Sequence, residues 1–291
     1  MKTLEQIRES MIQGGLGEYF DQLAPYARNV IRITPEVCDD GDIPVGASKF
    51  GGCPDLPAGM EWFQVQHGSY TAPLYFVAQI NFAEIASFDV EHKLPERGML
   101  YFFYDGETDA RLNWMPSGNG LTWQIFFCED DPAALSRCEP PANMEENEFS
   151  QPFGAARLQF ESELEMPPEG SDLIRDKEIF ADTDVFYRYA EWVSGVSREC
   201  YSQLFGHAKL NMFNGMERDC ECVRQKIPCT IDGEKSIAYE DLLHWNLLLQ
   251  VDSNDEMDMY WGDMGWLCLW ITSEDLAARR FDKCLVMHES C

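Results

Sequence analysis

Positive charge is scarce in this sequence. Its 291 residues contain 22 Lys and Arg against 51 Asp and Glu, which gives a formal net charge of −29. Nucleic-acid binding needs basic groups that displace counterions from phosphates, so the composition argues against a nucleic-acid partner. The same acidic excess favours a basic protein partner. Because 45% of the residues are hydrophobic, we expect the chain to fold despite its charge.

Long hydrophobic runs are also missing. The first residues, Met1–Glu9, lack the apolar core of a signal peptide. The longest apolar stretch, Met264–Thr272, has the length of a strand and falls far short of the ~18 residues that a membrane-spanning helix needs. We therefore expect a cytoplasmic protein with no membrane contact.

The 11 cysteines form no recognisable disulfide framework, and we expect reduced thiols. Cys200, Cys220, Cys222, Cys229 and His207 lie close in sequence. Zinc sites use paired motifs, however, and Cys220-x-Cys222 has no matching pair. Buried thiols are the favoured interpretation, and no cofactor is expected.

Recognisable catalytic motifs are absent as well. The sequence has no Gly-x-Ser-x-Gly turn and no His-Glu-x-x-His motif, and its 5 histidines are scattered. This favours a non-enzymatic protein. An active site assembled from distant residues is the open alternative, because catalytic triads are spatial arrangements.

What the sequence does contain is a series of short β-rich segments with few helices. Thr3 and Gln6 form a capping-box pattern for an N-terminal helix that ends at Gly14, and a second helical piece stops before Pro25. Strands are predicted at Asn29–Ile33, Leu74–Ile80, Met99–Tyr104, Leu121–Phe127, Arg157–Leu164, Leu247–Asp252 and Leu267–Ile271. Helices are predicted at Thr183–Trp192, Ile237–His244 and Ser273–Arg279, the last with Thr272 as its N-cap. The pattern predicts an α+β fold with mainly antiparallel sheets, a short helical segment over residues 1–27 and a single domain over residues 28–291.

One stretch is more acidic than the rest. Between Glu129 and Asp172, twelve acidic residues stand against Arg137 and Arg157 alone. Prolines interrupt its first half, so we expect residues 129–172 to be a surface excursion, either a solvated face or a partner-binding patch.

Two segments resemble each other. Leu74–Asn81 ends in Gln-Ile-Asn and precedes an aromatic strand that follows Gly98, while Leu247–Asp252 ends in Gln-Val-Asp and precedes one that follows Gly265. This similarity predicts an internal duplication with two halves, about 28–128 and 182–291, packed about a pseudo-twofold axis. Gln79 and Gln250 would then be equivalent. A chance match between two β-rich stretches is the alternative.

Five segments form an ordered set of motifs: Ser48–Pro57, Pro73–Asn81, Leu94–Phe103, Leu248–Ser253 and Trp261–Gly265. Together they resemble the YwqG-like family, a bacterial domain family of unknown function. The sequence departs from the family pattern at Trp62-Phe63, where the family usually has Trp-Pro, and around Gly206–Ala208. The resemblance implies a cytoplasmic bacterial α+β protein with an internal duplication and no established reaction. Some relatives look like components of toxin–immunity loci.

The turn Gly46–Gly52 gathers backbone N–H groups, the Ser48 hydroxyl and the Lys49 ammonium. It could bind an anion, or Gly51 and Gly52 could simply allow positive φ in a tight turn. A ligand site between the two halves would be lined by side chains from this turn and from both repeats. The full set of candidates is Ser48, Lys49, Gly51, Gly52, Gln79, Asn81, Gln250, Asp252 and Asp263.

The segment after the second repeat alternates oxygen-bearing side chains as calcium loops do. The candidate ligands are Asp252, Asn254, Glu256, Asp258 and Asp263. Met257, however, occupies the position where the sharp turn of a calcium loop requires glycine. An acidic hairpin loop is the favoured interpretation, and no metal is expected.

Two functional hypotheses follow. The first is a non-enzymatic binding protein whose acidic surface engages a basic protein, as an immunity protein engages a cationic toxin. The second is a small-molecule-binding protein or enzyme with a site between the duplicated units. Convergence of Lys49, Gln79 and Gln250 in one pocket would favour the second.

Overall fold

A computed structural model describes residues 3–67, 69–105, 123–142, 144, 152–174, 177–195, 202–209, 215–234 and 236–290. The first helix, α1 (Leu4–Gln13), begins with the predicted capping box between Thr3 and Gln6 and ends at Gly14. A 3₁₀ turn (Gly17–Tyr19) leads to α2 (Phe20–Leu23) and a second 3₁₀ turn (Ala24–Tyr26). Helix α2 ends at Leu23, before Pro25 as predicted, and Pro25 lies near the start of the second 3₁₀ turn, where proline is tolerated.

Ten of the strands form one sheet in the order β14-β13-β12-β11-β1-β10-β2-β6-β7-β8, and neighbours are antiparallel throughout. The strands are β1 (Arg28–Val37), β2 (Lys49–Phe50), β3 (Asp55–Pro57), β4 (Gln64–His67), β5 (Tyr70–Pro73), β6 (Tyr75–Asn81), β7 (Met99–Tyr104), β8 (Trp123–Cys128), β9 (Leu135–Arg137), β10 (Ala156–Glu165), β11 (Gln203–Phe205), β12 (Trp245–Asp252), β13 (Trp266–Thr272) and β14 (Leu285–Glu289). Strands β3 and β9 form one small sheet and β4 and β5 another.

The remaining helices are short apart from α4 and α5. They are α3 (Phe82–Ile85), α4 (Thr183–Gly195), α5 (Met216–Gln225), α6 (Ile231–Glu234), α7 (Tyr239–Leu242) and α8 (Ser273–Ala277), with 3₁₀ turns at Asp40–Asp42, Pro132–Ala134, Glu178–Ala181, Asp255–Met257 and Phe281–Lys283. The predicted fold class, α+β with mainly antiparallel sheet, is confirmed. Among the described residues, no helix combines the length and apolar character needed to cross a membrane.

The main core lies on the concave face of the large sheet. It contains side chains from the central strands, such as Ile31, and from both edge strands, including Ile125 of β8 and Val286 of β14. The sheet is nearly closed, because the ring of Phe281, just before β14, lies 4.8 Å from that of Phe127 in β8. Aromatic contact therefore joins the two edges without strand pairing.

Three smaller clusters cover the outer face of the sheet. One, around Trp62 and Phe103, covers β6 and β7. A second, around Trp266 and Trp270, lies between β12, β13 and α5. The third joins α1, α2 and α4 to the end of β10, with Tyr189 at its centre. The outer face is thus buried as well, and polar side chains such as Lys49, Gln79 and Gln250 are buried within it.

The strands of the large sheet follow one order on both sides of its central pair. Reading outward from β1 and β10, the chain supplies β11, β12, β13 and β14 on one side and β2, β6, β7 and β8 on the other. The pairing of β6 with β7 shifts register between Phe76 and Ala78, and that of β12 with β13 shifts between Leu247 and Leu249.

Strand β1 runs past the predicted boundary at Pro35 and ends at Val37. Proline usually interrupts a central strand because it lacks an N–H group. Among the described residues, β11 pairs with Val30, Ile31 and Arg32, and Pro35 lies beyond these partners.

The acidic stretch is not a surface excursion over its whole length. Residues 156–165 form β10 at the centre of the sheet, and Glu163 is buried there. Acidic side chains can occupy this position because Arg32 lies in the neighbouring strand β1. The prediction for residues 129–172 therefore fails for this second part.

Candidate functional site

Lys49 of β2 lies at the centre of a buried ion network. Its ammonium donates to Asp40 Oδ1 at 2.8 Å and to the carbonyl of Cys53. Arg137 of β9 donates to Asp55 Oδ1 at 2.7 Å and to Asp40 Oδ2 at 3.0 Å. Burial lowers the pKa of Lys49, which the two carboxylates oppose. Two cations face two carboxylates, so this network is neutral.

Hydrogen bonds also hold the turn Gly46–Asp55 against the end of β6. Gln79 Oε1 accepts the N–H of Asp55 at 2.8 Å, and its amide group donates to Asp55 Oδ2 at 2.8 Å. Ser48 Oγ accepts the N–H of Asn81 at 2.8 Å, and the Asn81 amide donates to the Gly46 carbonyl at 2.8 Å. Each polar group is occupied by the protein itself, which favours the architectural interpretation of this turn.

Gly51 and Gly52 have positive φ values of 58° and 67°. A Cβ atom on Gly51 would lie 2.1 Å from the Gly154 carbonyl oxygen, and one on Gly52 would lie 2.3 Å from Asp40 Oδ1. Both conformation and space therefore require glycine here. The two glycines are part of the Lys49 network rather than of an open anion site.

The segment around Gln250 makes a matching set of contacts. Gln250 Oε1 accepts the N–H of Lys209 at 3.0 Å, and Ser202 Oγ accepts the N–H of Asp252 at 3.0 Å. Gln203 of β11 lies opposite Gln250, as Lys49 lies opposite Gln79. The Gln79 and Gln250 side chains therefore accept corresponding backbone N–H groups, those of Asp55 and Lys209.

A positive φ also recurs in the second set. Gly206 has a φ of 71°, and a Cβ atom there would lie 2.2 Å from Glu165 Oε1. Gly52 approaches Asp40 in the same manner, so Glu165 and Asp40 hold corresponding positions.

The predicted candidates therefore lie in two networks and do not line one pocket. Strands β10, β1 and β11 separate β2 from β12 in the sheet. Four strand spacings place Lys49 and Gln250 roughly 19 Å apart along it. Lys49 and Gln79 meet, and Gln250 belongs to the other network. Asp263 is exposed in the turn before β13.

The turn with calcium-like spacing is held by the protein's own groups. Asn254 accepts the N–H of Met257 at 3.1 Å and forms a β-bridge with Met259, and Met257 is buried. Within the described parts of the chain, no group of three or more His, Cys, Asp or Glu residues is placed to hold a metal ion. The geometry is that of an acidic hairpin turn.

The cysteines near α5 fall into two hydrophobic clusters, and Cys229 packs against the one that contains Cys222. Cys220 packs beside Trp266 and Cys268, whereas Cys222 lies in a different cluster with Leu242. Both are buried thiols. Cys200 lies outside the described residues.

A cavity of about 280 Å³ lies between α1, α4 and the two central strands. Its walls combine apolar groups with charged and polar ones: Gln6, Ile7 and Ser10 of α1, Arg32 of β1, Glu163, Leu164 and Glu165 of β10, the following Met166, and Trp192 and Val193 of α4. The indole N–H of Trp192 donates to Ser10 Oγ at 2.9 Å and so links the two helices across it.

Arg32 is the charged centre of this cavity. Its guanidinium donates to Glu163 at 2.8 Å, to Glu165 and to the Gln203 side chain. The three ionised side chains are only 12%, 5% and 15% exposed, in the order Arg32, Glu163, Glu165. Burial raises the pKa of Glu165, although the Arg32 charge opposes this. The cavity therefore contains buried, mutually oriented charges.

His207 lies behind Glu165. Its backbone N–H donates to Glu165, and its Nε2 is 2.8 Å from the Tyr26 carbonyl oxygen. Burial holds the pKa of His207 well below its ordinary value, so the imidazole is neutral and adds no charge to the network.

Sequence reasoning missed this cavity. Arg32 precedes Glu163 by 131 residues, and the β1–β10 register brings them together. The available signal was the pair Glu163 and Glu165, which are two residues apart and so share one face of a strand, although the predicted strand ended at Leu164.

A family model described as a domain of unknown function (DUF1963) matches residues 48–290. No curated protein matches the chain. The matched region contains Lys49, Gln79, Gln250 and β10, while Asp40, α1 and β1 precede it.

Proposed function

The chain belongs to the DUF1963 family, whose function is unknown, and we propose that it is a non-enzymatic binding protein that holds a small ligand between α1, α4 and the central strands. The observation that carries the proposal is the cavity around Arg32. Its volume is close to the lower end of the range for ligand sites, and such sites combine apolar walls with a few oriented polar groups.

The charged groups support binding in particular. Burying Arg32, Glu163 and Glu165 costs free energy that a structural core of apolar residues would avoid. Buried charged groups of this kind are expected where they orient a ligand. The candidates from the first motif, by contrast, are occupied in fastening the turn Gly46–Asp55.

We further propose that the chain arose by internal duplication, with halves related by a pseudo-twofold axis between β1 and β10. The matched contacts of Gln79 and Gln250 support this, as do the two register shifts. The second half would then begin at β10 rather than near residue 182. Membership of the YwqG-like group, a bacterial origin and a cytoplasmic location belong to the same proposal.

The ligand site is tested by narrowing the cavity. Val193→Phe places a larger side chain in its wall, and Ser194→Phe makes the same change at the exposed neighbouring position. Ligand-observed NMR with a set of compact fragments carrying cationic, anionic or neutral groups measures binding. We expect at least one fragment to bind the unmodified protein and Ser194→Phe but to be lost from Val193→Phe.

Ser10→Leu narrows the cavity from the opposite wall and guards against a folding defect in one variant. Circular dichroism and urea unfolding verify that each variant is folded. Binding that is unchanged by both cavity variants, or no binding of any fragment to the unmodified protein, would contradict the proposal.

The net charge of −29 favours a second candidate, engagement of a basic protein. Such binding weakens with ionic strength, because salt screens exposed charges over about 8–10 Å. Affinity purification from the native host at low and moderate salt tests it. A stoichiometric basic partner retained at moderate salt would support this candidate, and absence of binding even at low salt would contradict it.

A further inference from the structure

We propose that Cys222 and Cys229 are a site of reversible modification, at which a small-molecule disulfide oxidises the two thiols to one protein disulfide. Both cysteines are free thiols in the structure. The inference is independent of the proposed ligand cavity, and it follows from the way the chain folds back over α5 after that helix ends.

The end of α5 brings the two cysteines together. The helix stops at Gln225, and Lys226 follows with a positive φ of 57°. The N–H group of Ile227 then donates to the Cys222 carbonyl at 2.9 Å, which is the hydrogen bond of a chain that reverses direction at a helix end. Cys229 consequently returns to the helix that carries Cys222.

The sulfur of Cys229 lies on the helix face that carries Cys222. Cys229 Sγ is 4.0 Å from the carbonyl oxygen of Asp219, and Asp219 shares a face with Cys222 because the two are one turn apart. The two thiols form a hydrogen bond with each other and pack in one cluster with Leu242. Thiols in contact need only small side-chain movements to reach the geometry of a disulfide.

The neighbouring cysteine of α5 is excluded from this pair. Cys220 packs beside Trp266 in another cluster, because residues two apart on a helix face different directions. It is therefore the matched control for Cys222, since both thiols are buried in the same helix.

The exchange proceeds in two steps. Cys229 is partly buried and Cys222 fully buried, so the Cys229 thiolate attacks the small disulfide first. One sulfur of the reagent stays bonded to Cys229, and the other leaves as a thiolate that takes up the proton Cys229 lost. The Cys222 thiolate then attacks Cys229 Sγ and releases the second reagent thiol. The two protein thiols lose two electrons, and the reagent disulfide is reduced to two thiols.

The site reacts slowly at neutral pH. Burial raises the pKa of the Cys229 thiol to about 12, and the Asp219 charge adds to this effect. Because the thiolate is the nucleophile, the rate should rise about ten-fold per pH unit below that pKa. The modification therefore responds to a lasting change in the thiol–disulfide balance rather than to a brief one.

The test incubates the full chain with oxidised glutathione at mildly alkaline pH, blocks the remaining thiols by alkylation and maps tryptic peptides by mass spectrometry. Trypsin releases Asp219–Arg224, which contains Cys220 and Cys222, and Ile227–Lys235, which contains Cys229. We expect these two peptides to be joined by a disulfide and to separate when a dithiol reductant is added.

Variants identify which thiol of the first peptide takes part. Cys220→Ala should keep the cross-link, whereas Cys222→Ala should lose it and retain glutathione on Cys229 as a mixed disulfide. Cys229→Ala should also lose the cross-link. Circular dichroism verifies that each variant is folded, and alanine is chosen because a buried thiol packs as a small apolar group.

Three results would overturn the inference. The first is glutathione on Cys229 of the unmodified protein without the cross-link, since the two thiols then do not reach each other. The second is a cross-link that persists in Cys222→Ala or is lost in Cys220→Ala, since the partner of Cys229 is then a different thiol. The third is no reaction at Cys229. None of these results bears on ligand binding in the cavity.

Discussion

Lys49 and Gln203 make the same contact from two different strands, each donating its side chain to the carbonyl oxygen four residues further along the chain. The Lys49 ammonium places a positive charge in the outer face of the sheet, whereas the Gln203 amide is neutral. The two networks around these residues also differ in their surroundings. The first is closed and neutral, and the second lies beside a cavity.

Replacing Lys49 by Gln should destabilise the protein by about 2–4 kcal/mol. The change leaves Asp40 and Asp55 with Arg137 as their remaining buried cation, and breaking a buried ion pair typically costs about 3–5 kcal/mol. Urea unfolding measures the free energy. Lys283→Gln alters an exposed ion pair with Asp282 and should change it by less than about 0.5 kcal/mol. Equal effects of the two variants would show that the network does not stabilise the fold.

Gly206→Ala should cost more than about 2 kcal/mol. Residue 206 has a positive φ, and the added Cβ would lie 2.2 Å from Glu165 Oε1 and 2.8 Å from the Val30 Cβ atom. Thermal and urea unfolding measure the loss. Gly41→Ala is the matched control, because a Cβ there meets no atom within 4 Å. If Gly206→Ala leaves the free energy of unfolding unchanged, Glu165 moves freely to make room for the Cβ atom and is not held in place.

The stability of the protein should depend on the protonation of Asp219. Burial raises the pKa of Asp219 to about 7, with Glu234, Asp172 and Glu289 adding to the effect and Arg218 opposing it. In the unfolded chain this pKa is about 3.9. The folded state therefore binds the proton more tightly, and this contribution is present below pH ~4 and lost as the pH rises to 7.

Asp219→Asn removes that dependence. Relative to the unmodified protein, the variant should gain stability as the pH rises from 5 to 8, by up to about 2 kcal/mol. Urea unfolding at several pH values gives the difference. The exposed substitution Asp282→Asn should run parallel to the unmodified protein, and a parallel Asp219→Asn curve would refute the prediction.

Phe281→Ala should cost about 3–5 kcal/mol, as expected for removing a buried aromatic side chain. The ring contacts Phe127 and Phe82, with centroid distances of 4.8 and 5.7 Å, and so joins the two edges of the sheet. Urea unfolding measures the loss, and Tyr187→Ala, at a 66% exposed position, is the control. Hydrogen exchange should also rise at the edge strands β8 and β14. If Phe281→Ala lowers the free energy of unfolding without faster hydrogen exchange in β8 and β14, Phe281 packs in the core but does not hold the two edges of the sheet together.

Much of the fold could be predicted from the sequence where local pattern and final structure agree. Strands β7 and β12 lie within two residues of their predicted positions because apolar runs and preceding turns define them. The capping box of Thr3 and the N-cap at Thr272 were also predicted and are confirmed. These features depend on neighbours in the chain, which the sequence displays directly.

The short strands β2 and β11 could not be predicted. Each has only two or three residues, and each is a strand because its neighbours in the sheet supply hydrogen bonds. Helix α5 was missed for a related reason. Its buried face carries Glu217 and Glu221, which a sequence pattern assigns to solvent.

The candidate site shows the same limit. Lys49 and Gln79 were recognised as a pair of interest, and they do meet, but as part of a closed network. The acidic run that contains Glu163 was interpreted as surface, since nothing near it in sequence neutralises its charge. Only the long-range pairing of β1 with β10 brings Arg32 to these carboxylates.

The pairing of β1 with β10 also limits how early in its synthesis the chain can fold. Strand β1 pairs with β10 and β11, and β10 pairs with β2, so each part of the chain completes the sheet of the other. During synthesis, almost 120 residues separate the end of β1 at Val37 from the start of its first strand partner, β10, at Ala156. Neither part can close a sheet alone, and folding is slow when pairing spans such separations. Two separately produced fragments, cut between β8 and β10, would therefore need one another to become ordered.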